Sequence, residues 1–105
     1  MDIVNAISKV RFASTGPQNI HLARNDAYRI DLLCMEAGQA SRAAAGPCAY
    51  YVIAGSAKIT TNSSAGSDER PLPAGQIADL GPDEAHVLAN VGDGRLICLV
   101  VQAPA

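Results

Sequence analysis

The chain has 105 residues, 49% of them hydrophobic and 17% charged, with a net charge of -2 from eight Lys+Arg against ten Asp+Glu. That is one domain's worth of chain and too apolar for disorder. It lacks the basic face that nucleic-acid phosphates or an anionic membrane surface demand, and no run approaches the roughly 20 apolar residues of a membrane-spanning helix.

The first ten residues, MDIVNAISKV, have no long apolar core behind a basic start, so they do not read as a secretory signal. Residues 3–10 are expected to form an arm or a short helical turn. Gly16-Pro17-Gln18-Asn19 is turn chemistry. From there to the end, short apolar runs alternate with Gly, Pro, Asn and Asp clusters. The runs are residues 20–23, 28–35, 49–54, 57–61, 69–72, 76–80, 85–91 and 95–101. Ala40–Ala45 is rich in helix formers but stops at Gly46-Pro47, and it reads as a loop or one turn of helix. Asn62–Ser67 reads as a polar hairpin loop. Eight short strands with regular turns predict an all-β sandwich or barrel, a single domain over 1–105 with its core at about 20–101. The last run, Leu96-Ile97-Cys98-Leu99-Val100-Val101, is apolar on both faces and should be covered on both.

Aromatic residues are scarce at 4%, so the core must be aliphatic. A domain of this size buries only about 60–70% of its unfolded surface. Association as a homodimer is therefore expected. Cys34, Cys48 and Cys98 form no C-x-x-C pair, and an odd count without pairing signals fits a reducing compartment. The expected location is cytoplasmic.

The stretch Gly75 to Asn90, G-Q-I-A-D-L-G-P-D-E-A-H-V-L-A-N, resembles the second signature of the cupin superfamily. Gly75, His86 and Asn90 fall in register with it, while Gly81 and Asp83 replace its Pro and second Gly. Upstream, Cys48-Ala49-Tyr50-Tyr51-Val52-Ile53-Ala54-Gly55 is similar to the end of the first signature. The resemblance covers roughly residues 20–101 and implies a cupin-type jelly-roll β-barrel.

In that family three His and one Glu hold a divalent metal inside the barrel. The resemblance places Ala44, Gly46 and Cys48 at three of those positions, in a loop trimmed by two or three residues, and leaves only His86. A first-row metal site needs at least three protein ligands, so no metal cofactor is expected. Strand parity then suggests an inner wall containing Cys48, Tyr50, His86, Leu88 and Asn90, with Arg42 of the trimmed loop at the mouth. These six are the candidate ligand-binding residues, and a small molecule is the expected ligand. Two other roles stay open: a metal-dependent isomerase, dioxygenase or decarboxylase with an unusual site on His86, and a purely structural β module. Fold analogy does not choose among them.

Overall fold

Alternation of side chains across a strand lets each run present one apolar row to an interior, and here two sheets share that interior. The structure, a computed structural model, describes residues 1–43, 46–63 and 65–103. Among the described residues a short 3-10 turn, Ile7–Lys9, precedes nine strands: β1 (Gln18–Arg24), β2 (Arg29–Met35), β3 (Ala40–Ala43), β4 (Cys48–Ala54), β5 (Ser56–Ser63), β6 (Gly66–Pro73), β7 (Ile77–Leu80), β8 (His86–Asn90) and β9 (Leu96–Gln102). All neighbouring pairs are antiparallel. One sheet runs β1-β2-β9-β4-β7 and the other β3-β8-β5-β6.

The expected all-β jelly-roll is present, with one strand more than the sequence suggests. Residues 40–43 form β3 rather than a loop or helical turn, and they pair with β8 from Ala40↔Ala89 to Ala43↔His86. Helix propensity of four residues is too weak to nucleate a helix when the open edge of β8 offers backbone partners along its length. The hairpin joining β5 to β6 is also tighter than the sequence suggests, since Asn62 pairs with Ser67 and Ser63 with Gly66. Ala44, Ala45, Ser64 and the last two residues lie outside the described part of the chain.

Between the sheets, Leu33, Met35, Tyr50, Val52, Leu96 and Cys98 of the first meet Ala57, Ile59, Leu72 and Leu88 of the second. Each fully buried Leu or Val in this layer contributes about 1.5–3 kcal/mol relative to exposure. A second cluster covers part of the outer face of the five-stranded sheet. There Ile20, Leu32 and Cys34 pack with Val10 and Phe12 of the N-terminal segment and with Ile53, Ile97 and Leu99. The doubly apolar last run is thus β9, central in its sheet, with Cys98 turned inward and Ile97 and Leu99 outward.

One turn depends on glycine. Gly55, between β4 and β5, has φ +96°, and a Cβ there would lie 2.6 Å from the Arg95 carbonyl oxygen. Both the backbone conformation and the close approach exclude a side chain. No helix among the described residues is long and apolar enough to cross a membrane.

Candidate functional site

The alternation of β4 and β8 brings three of the candidate residues together. His86 opens β8 facing inward and is 2% exposed. Cys48 opens β4 in the other sheet, and Tyr50 follows two residues on, on the same face. Tyr50 Oη lies 2.6 Å from His86 Nε2, and Cys48 Sγ lies 3.8 Å from the same nitrogen. The two rings meet edge-on at 79°. The hydrogen bond therefore ties one sheet to the other through the interior.

The partners fix the protons. His86 Nδ1 lies 3.0 Å from the Glu84 carbonyl oxygen, which can only accept, so Nδ1 carries the hydrogen of the neutral ring. Nε2 then offers one lone pair, and the Tyr50 hydroxyl donates to it. Burial holds the Tyr50 pKa well above its ordinary value, with the neighbouring Cys48 adding to the effect. The phenol consequently keeps its proton at neutral pH. Burial also raises the Cys48 thiol; the Tyr50 hydroxyl opposes this and the Asp79 charge reinforces it. Cys48 is accordingly a thiol at neutral pH, not an activated nucleophile.

The other three candidates are placed elsewhere. Leu88 is wholly buried in the inner cluster. Asn90 is 4% exposed and its amide serves the backbone: Nδ2 donates to the carbonyls of Met35 (3.1 Å) and Gly94 (2.9 Å), and Oδ1 accepts from Gly92 N–H (3.1 Å). It shapes the turn between β8 and β9. Arg42 sits in β3, not in a loop at the mouth; it is exposed and opposite Val87, one residue out of phase with the inward Ala43–His86 row.

Two polar features were not singled out from the sequence. The first is Asp31, wholly buried in the middle of β2. Its carboxylate accepts from Asn19 Nδ2 at 3.0 Å, Gln102 Nε2 at 3.0 Å and Arg29 Nε at 3.0 and 3.2 Å, with Arg29 Nη2 at 2.8 Å and His21 Nδ1 at 3.1 Å. Burial by itself would raise its pKa, but the hydrogen bonds from Arg29, Asn19 and His21 outweigh it and hold the pKa below the ordinary value. A lone Asp inside the apolar run Tyr28–Met35 was the signal available in the sequence.

The second is a cleft of about 350 Å³ between β6 and β7, the end strands of their sheets. Its wall includes Ile59, Thr61, Asp68, Arg70, Leu72, Leu80 and Glu84. Arg70 is paired with Asp68 at 2.8 Å, and Glu84 Oε1 accepts from Gly81 N–H at 2.8 Å. Cys48, Tyr50 and His86 do not line the cleft, but their register partners Leu80, Ala78 and Thr61 do.

Solved structures with this arrangement identify the fold. The TT1209 protein of Thermus thermophilus superposes with a TM-score of 0.87 at 21% identity, over 99% of this chain and 98% of its own. An uncharacterized conserved protein with a double-stranded β-helix domain from Klebsiella pneumoniae gives 0.85 at 22% identity, over 99% and 90%. An RmlC-like cupin protein from Desulfovibrio desulfuricans gives 0.80 at 17% identity, over 100% and 99%. No protein-family model matches the sequence, and no curated protein matches it. The chain has the cupin fold, an RmlC-like jelly-roll β-barrel.

The resemblance implies a metal ion held by three His and one Glu, and of those four positions this chain carries only His86. Gly46 and Ala44, the latter outside the described residues, have no side-chain ligand atom. The lone pair of His86 Nε2 is already engaged by Tyr50. Among the described residues no group of three or more His, Cys, Asp or Glu side chains is arranged to hold an ion, and fewer than three donors make a poor first-row site.

Proposed function

We propose that this protein is a metal-independent cupin-fold binding module that takes a small polar molecule in the cleft between β6 and β7. The observation that carries the reading is the 2.6 Å bond from Tyr50 to His86. It engages Nε2 of His86, the one residue of the family's metal-ligand set that this chain retains. The interior then acts as a rigid support, and the cleft beside it is the concave, mixed polar and apolar surface that small ligands use. The cleft carries the carboxylates of Asp68, Asp79 and Glu84 against the guanidinium of Arg70. Its excess negative charge favours a ligand with a cationic group, whose apolar part would lie on Ile59 and Leu72. Three free cysteines support a reducing, cytoplasmic setting.

A thermal-shift panel of small amines, with neutral and anionic isosteres, tests the reading. Amines should raise the melting temperature, and Glu84→Gln should remove the shift. Stabilisation of about the same size by Mn²⁺, Fe²⁺, Ni²⁺ or Zn²⁺, lost in His86→Ala, would replace it with the metal-enzyme reading. No shift with any amine would leave the protein a structural β module.

A further inference from the structure

The segment ahead of β1 lies on the outer face of the five-stranded sheet without joining it as a strand. Two of its backbone bonds are local turns, from Val10 N–H to the Ile7 carbonyl (3.4 Å) and from Gly16 N–H to the Ala13 carbonyl (3.4 Å). Side chains fasten it to the barrel. Val10 and Phe12 lie on Ile20, Leu32 and Cys34. The Arg95 guanidinium sits 4.4 Å from the centre of the Phe12 ring, and its Nη2 reaches Glu36 Oε1 at 3.7 Å. Gln39 Nε2 donates to the Ala13 carbonyl at 2.7 Å. Both fasteners grow from turns that Asn90 braces: its N–H donates to the Gln39 carbonyl (2.9 Å) and its Nδ2 to the Gly94 carbonyl (2.9 Å). The anchorage is firm, while the segment itself lacks a strand's ladder of backbone bonds.

A thiol lies beneath it. Cys34 is fully buried in the outer cluster, whereas Cys98 is fully buried in the inner layer between the sheets. The Arg11 backbone also hydrogen-bonds Cys34, so cover and bond leave together when the segment lifts. We propose that residues 10–13 form a releasable strap that opens without unfolding the barrel and thereby controls access to Cys34. Lifting it breaks the Gln39–Ala13 bond, the Arg95–Phe12 contact and one apolar layer. It leaves the strand pairs and the Tyr50–His86 bond in place. Segments held in this way open at a fraction of the free energy of global unfolding. The uncovered Ile20 and Leu32 draw the strap back, because their exposure to water is unfavourable. A substituent on Cys34 would take the place of Val10 and Phe12 and hold the strap off.

Pulsed labelling of the full chain with N-ethylmaleimide at about pH 8 tests the proposal, with each cysteine followed by peptide mass spectrometry. Cys98 reports global opening, because its cover is the barrel itself. In the wild-type protein Cys34 should react at least about tenfold faster than Cys98. Low, sub-denaturing urea should accelerate Cys98 steeply and Cys34 weakly, since lifting the strap exposes little surface. Equal rates with the same urea dependence would mean that Cys34 is reached only through global unfolding, and they overturn the proposal. Phe12→Ala should raise the Cys34 rate at least about tenfold, and Arg95→Gln about threefold. The Arg95 side chain is largely exposed, so the second variant keeps the test decisive if the first does not fold. A Cys34 rate unmoved by a folded variant overturns the strap. Phe12, Cys34 and Arg95 do not line the cleft between β6 and β7, so the result is independent of ligand binding there.

Discussion

The chain has two histidines, and they illustrate how partners decide what an imidazole can do. His86 is 2% exposed, with both nitrogens engaged by neutral groups: a carbonyl on Nδ1 and a phenol on Nε2. His21 has a side chain 52% exposed, and its Nδ1 meets a fully buried carboxylate, Asp31. The first histidine joins two sheets through the engagement of both its ring nitrogens. The second sits at the rim of a charged cluster whose centre is Asp31 and whose strongest partner is Arg29. A buried neutral hydrogen bond adds order at modest net energy, whereas a buried carboxylate is costly unless every lone pair is met. Disturbing the Asp31 region should therefore do more harm than disturbing the His86 region, although only the latter carries the resemblance to a functional site.

The largest effect should come from Asp31→Ala. It breaks a buried charged cluster joining β1, β2 and β9, and equilibrium urea unfolding should show a loss of about 3 kcal/mol. The same carboxylate gives the stability profile an acid limb. Its folded pKa lies below the ordinary Asp value, so its stabilisation is complete above about pH 4 and fades as pH falls through the depressed folded pKa. Asp31→Asn should flatten that limb. Unchanged acid unfolding in Asp31→Asn would place the pH-sensitive groups elsewhere.

Gly55→Ala should follow, at about 2 kcal/mol, because the new Cβ meets the Arg95 carbonyl in a backbone conformation that disfavours it. Tyr50→Phe should cost about 1–2 kcal/mol, the penalty of leaving His86 Nε2 buried without a donor. If Tyr50→Phe cost more than Asp31→Ala, the ranking of the two regions would be reversed. The smallest effect concerns Cys48. Its alkylation by iodoacetamide should remain slow through neutral pH and accelerate only above the ordinary thiol range, because burial raises its pKa. Rapid alkylation at pH 7 would mark an activated thiol and contradict the arrangement described.

Legibility in the sequence followed the physics of each feature. Turn residues and short apolar runs located eight strands because Gly, Pro, Asn and Asp act locally. β3 escaped, since Ala40–Ala43 becomes a strand only through the edge that β8 provides, a long-range cause with no local mark. Parity along β4 and β8 put Cys48, Tyr50 and His86 on inward faces, but not the direction of the hydrogen bond that occupies Nε2. Parity alone also gave no sign that the Asn90 amide is engaged by three backbone groups. The charged cluster on Asp31 draws on residues 19, 21, 29 and 102, and its last member comes from the far end of the chain. No spacing rule connects them.

The central claim is that the His86 ring carries a hydrogen on Nδ1 and is engaged at Nε2 by Tyr50. Long-range ¹H–¹⁵N correlation spectra of the imidazole, recorded before and after one equivalent of Zn²⁺, test it most directly. The expected result is the Nδ1–H tautomer with a hydrogen-bonded Nε2, unmoved by zinc. A zinc-induced change at Nε2 of His86, with a new coordinated-nitrogen resonance, would contradict it.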